Sequence, residues 1–249
     1  MPRILRVLLA VLPLLTAACG SAEAPRTGGG AAVRQDGSAA VRDSGAAERD
    51  SGVAARAQTS PEPSAALRRI VFLGDSLTAG LGLLREQSVP SLIQDRLTAE
   101  GYSYEVINAG VSGDTSAGGL SRLDWSLDGD VELLVIELGA NDGLRGLPVP
   151  QMKRNLDEII TRAKARDITV ILTGMEAPPN YGPLYTADFR KAFRDLADDH
   201  DVVFVPFFLA DVAGNPSLNQ RDGIHPNAEG SRAIAGMIWQ TLEPLLDRE

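Results

Sequence analysis

From Leu67 onward, short apolar runs alternate with longer stretches in which apolar residues recur every three or four positions. The runs are Arg69–Leu73 (RIVFL), Tyr104–Ile107 (YEVI), Val131–Leu138 (VELLVIEL), Ile168–Leu172 (ITVIL) and Val202–Val205 (VVFV). Gly74, Gly110, Gly139, Gly174 and Pro206 stand at or just past their ends. Short β-branched runs punctuated by glycine or proline predict strands. The intervening stretches predict helices. Ser88–Glu100 aligns Val89, Leu92, Ile93 and Leu97. Val149–Arg166 aligns Met152, Leu156, Ile159, Ile160 and Ala163. Thr186–Asp198 aligns Phe189, Ala192, Phe193, Leu196 and Ala197. Asn227–Leu246 aligns Ala233, Ile234, Met237, Ile238 and Leu242. Strands alternating with helices imply right-handed crossovers, hence an α/β fold with five parallel strands covered on both faces. There is no internal repeat.

The pattern is absent before Leu67. Arg3 and Arg6 precede an uncharged apolar core, Val7–Leu15, followed by Thr16, Ala17, Ala18 and Cys19. A basic start, a short apolar core and small residues read as a secretory signal over residues 1–18. The core is shorter than the ~18–20 apolar residues of a membrane helix. The single Cys at the end of the small residues resembles a bacterial lipoprotein signal, in which Cys19 would be lipidated. Thr16 departs from the leucine usual at that position. Residues 20–66 contain no aromatic, Ile or Leu. They cannot bury enough apolar surface to offset ordering entropy, so residues 19–66 read as a tether and residues 67–249 as the domain. The expected location is across the inner membrane, lipid-anchored at the periplasmic face or cell surface.

Charge and composition narrow the functions. The full chain has net charge −9, and residues 67–249 alone hold 17 basic against 27 acidic residues, a net −10. That balance argues against a phosphate-backbone binder, so no nucleic-acid partner is expected. One Cys excludes an intramolecular disulfide and a cysteine-based zinc site. Neither a GxGxxG nor a GxxxxGK motif follows a predicted strand.

Four polar clusters sit at strand ends or before the last helix. They are Gly74-Asp75-Ser76-Leu77-Thr78, Gly110-Val111-Ser112-Gly113-Asp114, Gly139-Ala140-Asn141-Asp142 and Asp222-Gly223-Ile224-His225-Pro226. In parallel sheets, ligands sit beyond the carboxyl ends of the strands. A serine, an asparagine and an Asp-x-x-His meeting there suit acyl transfer. Ser76 needs a base, and His225 can supply it. Asp222 can hold the other imidazole nitrogen. The N–H groups of Ser76 and Gly110 and the Asn141 amide can face an oxyanion, with Gly110 permitting close backbone approach. Pro226 suits the first position of the last helix.

These four blocks, in this order, resemble the GDSL or SGNH hydrolase superfamily from about Arg69 to the C-terminus. Gly74–Leu83 (GDSLTAGLGL) and Met175–Gly182 (MEAPPNYG) resemble its bacterial arylesterase/thioesterase I/lysophospholipase branch. The resemblance implies a flavodoxin-like three-layer sandwich and a Ser-His-Asp esterase with no metal or cofactor. It implies small aryl or alkyl esters, thioesters and lysophospholipids as substrates. The same triad would serve a carbohydrate O-acetyl esterase, although the chain shows few aromatic platforms for sugar. A binding protein without catalysis would have lost Ser76, His225 or Asn141, and none is lost. Met175–Tyr185 is expected to wall the acyl pocket on one side and Val111–Gly119 on another. Asp142 is expected to hold its loop, His200 to be structural, Trp125 and Trp239 to be at least partly buried, and the protein to be a monomer.

Overall fold

A computed structural model describes residues 67–248. In it the five apolar runs form one parallel sheet: β1 (Arg68–Gly74), β2 (Tyr104–Gly110), β3 (Val131–Glu137), β4 (Thr169–Thr173) and β5 (Val203–Val205), in the order β2-β1-β3-β4-β5. The helices, in chain order, are α1 (Ser76–Ala79), α2 (Val89–Glu100), α3 (Ser116–Ser121), α4 (Leu123–Ser126), α5 (Ala140–Leu144), α6 (Val149–Lys164), α7 (Pro183–His200) and α8 (Ala228–Leu242). This is the α/β three-layer arrangement that the alternation predicts.

The central strands are apolar on both faces because both faces are covered. Ile70, Val71, Phe72 and Leu73 of β1 and Leu133, Leu134, Val135 and Ile136 of β3 are all buried. Each such side chain contributes roughly 1.5–3 kcal/mol through removal from water. The crossover through α2 runs from β1 outward to β2, whereas those through α6 and α7 run the other way. Right-handed crossovers therefore put α2 on one face and α6 and α7 on the other. α8 packs beside α2. At the outer edge of β2, the Gln94 amide accepts from Val106 N–H at 2.7 Å and donates to the Tyr104 carbonyl at 3.1 Å. That occupies backbone groups otherwise open to edge-to-edge pairing.

Opposite crossover directions create a switch point between β1 and β3. The register sharpens it: Gly74 pairs with Gly110 on one side and Glu137 on the other, so three strands end level. The loops after them emerge at one height, and they carry three of the four polar clusters.

The structure corrects several details. The last helix is shorter than Asn227–Leu246: Asn227 caps it from outside, accepting the N–H groups of Glu229 and Gly230, and a 3₁₀ turn replaces it from Glu243. Pro226 is therefore outside the helix and bridges to Asn219. Trp239 is buried as expected, but Trp125 is 77% exposed, because α4 is one turn that packs only Leu123 and Ser126 inward.

Candidate active site

The first cluster forms a strand–turn–helix. A Cβ on Gly74 would collide with Thr78 and with the Glu137 carboxyl, so only glycine lets the chain turn there. Asp75 caps α1, its Oδ1 accepting from Leu77 N–H at 3.0 Å. Ser76 is the first residue of the helix, so its N–H has no partner within it. Gly80, with φ +75°, ends α1 after four residues.

The fourth cluster is a tight loop folded on its own aspartate. Asp222 Oδ1 accepts the N–H groups of Ile224 (3.1 Å) and His225 (3.0 Å), while Oδ2 lies 2.7 Å from His225 Nδ1. Gly223 supplies the positive φ (+75°). The His225 contact, with those two N–H bonds, pulls the Asp222 carboxyl down to about 2. The other imidazole nitrogen, Nε2, is 3.0 Å from Ser76 Oγ. Residues 149 positions apart thus meet in a hydroxyl–imidazole–carboxylate line. In that geometry an imidazole can take a hydroxyl proton while a carboxylate steadies the imidazolium.

Asn141, in the first turn of α5, donates through Nδ2 to Asp75 Oδ2 at 2.9 Å. One amide hydrogen is held there, which leaves the second for an oxyanion. Gly110 does not fit the role expected of it. Its N–H is donated to Asn108 Oδ1 at 3.0 Å, and a Cβ at 110 would strike the backbone of Ala79 and Asp75. Gly110 is the last residue of β2, and its lack of a side chain serves packing against α1. On the following loop, the N–H groups of Ser112 and Gly113 have no acceptor among the described residues. Gly113 turns the chain there with φ +86°, and its carbonyl accepts from Arg145 at 2.8 Å. Asp142 holds its surroundings: its carboxylate accepts from Ser116 N–H (2.8 Å) and Ser116 Oγ (2.6 Å).

A cavity of about 220 Å³ opens beside Ser76, Asn141 and His225. Leu77, Leu144, Phe207, Leu209 and Ile224 line it. The loop after β4 supplies Met175, Ala177 and Pro178, as expected for Met175–Tyr185; no residue of Val111–Gly119 lines it. Glu176, also on the wall, is paired with Arg190 through two short contacts. His200 is far from this chemistry in role: its Nε2 meets Asp157 at 2.7 Å, joining α7 to α6. Among the described residues no group of three His, Cys, Asp or Glu side chains is placed to hold a metal ion. Cys19, with the signal and tether, lies outside the described residues.

Two further connections were not legible in the sequence. Gln220 Nε2 donates to the Leu81 carbonyl (2.7 Å) just after α1 and to the Pro226 carbonyl (2.9 Å), joining the serine and histidine segments. Glu137, ending β3, lies fully buried beneath the serine turn.

The GDSL-like lipase/acylhydrolase family matches residues 72–233. Esterase TesA of Pseudomonas aeruginosa is 44% identical over 183 residues, covering 73% of this chain and 91% of that protein. A crystal structure of TesA superposes with a TM-score of 0.69 over 72% of this chain and 100% of its own. An arylesterase of Vibrio mimicus is 41% identical over 180 residues (72% and 90% covered). The thioesterase 1/protease 1/lysophospholipase L1 of Escherichia coli is 36% identical over 187 residues (75% and 88%).

Proposed function

This chain belongs to the GDSL-like lipase/acylhydrolase family and is an esterase, and we propose that it works through an acyl-enzyme on Ser76. The observation that carries the proposal is the line from Ser76 Oγ through His225 to Asp222, with contacts of 3.0 and 2.7 Å. His225 Nε2 takes the Ser76 proton as Oγ attacks the ester carbonyl. Asp222 accepts the Nδ1–H and balances the imidazolium. The Ser76 N–H and the second hydrogen of the Asn141 amide stabilise the tetrahedral oxyanion, with a further backbone donor from Ser112 or Gly113. His225 returns the proton to the departing alcohol or thiol. Water, deprotonated by the same imidazole, then releases the acid and restores Ser76.

The apolar cavity favours hydrocarbon acyl or aryl groups, which supports aryl and alkyl esters, acyl thioesters and lysophospholipids as substrates. It gives little to a polysaccharide O-acetyl esterase. The lipoprotein-like start supports export and anchoring through Cys19. The test is a series of nitrophenyl esters from acetyl to palmitoyl, run beside acetylated xylan and a lysophospholipid. Ser76→Ala should lose ~10³-fold or more in kcat while staying folded. A fluorophosphonate should label Ser76, and labelled palmitate should enter the wild type but not Cys19→Ser. Labelling of another serine would remove the mechanism, and preference for acetylated xylan over every acyl ester would overturn the substrate class.

A further inference from the structure

Glu137 is a carboxyl with no exposure at all, at the end of the strand next to the one that delivers Ser76. Its Oε2 accepts two hydrogen bonds from the serine turn: the Asp75 N–H at 3.2 Å and the Thr78 hydroxyl at 2.8 Å. These donors flank Ser76 and Leu77. Its other oxygen, Oε1, is buried with no hydrogen-bond partner among the described residues. Asp75, gripped by its backbone in this way, uses both carboxylate oxygens in the site. Oδ1 holds the first turn of α1 and Oδ2 holds the Asn141 amide.

We propose that Glu137 is a positioning residue for the esterase reaction, fixing through Asp75 and Thr78 the turn that presents Ser76 and the amide of Asn141. The inference rests on the acyl-enzyme reading above. Glu137 touches no reacting atom; it acts on the two groups that do. Its contacts explain why a costly buried acid stands where an apolar residue would continue the strand.

The arrangement needs the neutral form. An ionised carboxylate would leave charge on an oxygen with no donor, whereas a neutral one carries a hydroxyl that can hydrogen-bond to the neighbouring Asp75 carboxylate. Burial, and then the Asp75 carboxylate, push Glu137 well above the ordinary range. Asp75 is also raised by burial, but the Leu77 N–H, the Asn141 amide and a hydrogen bond from the Glu137 carboxyl favour its charged form, as does His225 more weakly. Between two buried carboxyls only one can readily ionise, and the donors assign the charge to Asp75. The other charged group at this strand end, Arg122, is spent on the Gly74 and Ala109 carbonyls and on Asp114. As pH rises, loss of the Glu137 proton puts a second negative charge against Asp75 and disturbs the turn.

Glu137→Leu and Glu137→Gln in the full chain, compared with wild type, test this. Thermal unfolding, kcat and KM on a nitrophenyl ester, and the rate of fluorophosphonate labelling are measured. Glu137→Leu should remain folded, lose roughly 10–100-fold in kcat through misplaced groups and change KM little. Glu137→Gln keeps an oxygen for both donors and has no proton to lose. It should restore most of kcat and hold it at alkaline pH where the wild type declines. Full kcat in a folded Glu137→Leu, or a Gln variant no better than Leu, would overturn the proposal. Should Glu137→Leu not fold, the Gln variant decides alone: an alkaline limb identical to wild type overturns the proposal. Failure of the Ser76 reading would look different, since the wild type would then be labelled at another residue.

Discussion

Asp222 serves two masters at the scale of a single side chain. One oxygen receives the N–H groups of Ile224 and His225, and the other faces His225 Nδ1. In Asp222→Asn the amide oxygen must take over the two backbone donors, which turns the NH₂ towards Nδ1. The imidazole then carries its proton on Nε2, towards Ser76, and cannot accept the hydroxyl proton. In Asp222→Ala the ring loses its partner but not its usable tautomer. Asp222→Asn should therefore be the worse variant, with kcat lowered on the order of 10³–10⁴-fold, the penalty of a wrong tautomer in such a triad. Steady-state kinetics of the two variants decide it, and a higher kcat for Asn than for Ala would mean that the loop turns its amide the other way. Asp222 and His225 could be read from sequence because one short loop holds both. Gly110 could not be read correctly, because two glycines follow the second strand and sequence does not say where pairing stops. The strand runs on through Gly110, which spends that glycine on packing.

Between elements, the site depends on holding two segments together that come from opposite ends of the domain. Gln220 does this through three bonds: its backbone N–H donates to the His225 carbonyl at 2.7 Å, and its Nε2 to the Leu81 and Pro226 carbonyls. Gln220→Ala removes two side-chain bonds, each worth about 0.5–1.5 kcal/mol, so stability should fall by roughly 1–3 kcal/mol. A several-fold fall in kcat with KM nearly unchanged should accompany it, since the Ser76–His225 approach loosens. Denaturant unfolding and kinetics check both, and unaltered kcat in a destabilised protein would confine Gln220 to stability. The five strands were legible because β-branched runs ended by glycine or proline have few other uses. The short helices α1, α3, α4 and α5 were not, because four to six residues give no periodicity and rest on caps and neighbours. Gln220 and Glu137 escaped for a related reason: a glutamine before an aspartate and an acid closing an apolar run look solvated until the topology shows what lies against them.

For the whole molecule, these carboxyls pull stability in opposite directions with pH. Asp222 sits at about 2 in the folded chain, below the ordinary carboxylate range, so its contribution is present at neutral pH and is lost as pH falls towards 2. Glu137 is raised from an ordinary value of 4.5. Above that pH the unfolded chain releases a proton that the folded chain keeps, so folding binds protons and stability declines as pH rises. The decline from Glu137 stops once its own folded-state proton is lost. Its slope is at most about 1.4 kcal/mol per pH unit for one proton. Glu137→Gln removes this term while leaving Asp222 untouched. The variant should therefore unfold at a denaturant midpoint close to wild type near pH 4.5 and at a progressively higher one towards pH 8. Urea titrations of both proteins across that range measure the difference directly. An offset that does not grow with pH would mean that Glu137 is ionised in the folded protein, with a donor reaching the oxygen that now has no partner. A widening gap would show that the enzyme carries, under its nucleophile, an acid whose burial costs stability throughout the pH range in which its contacts hold the serine turn.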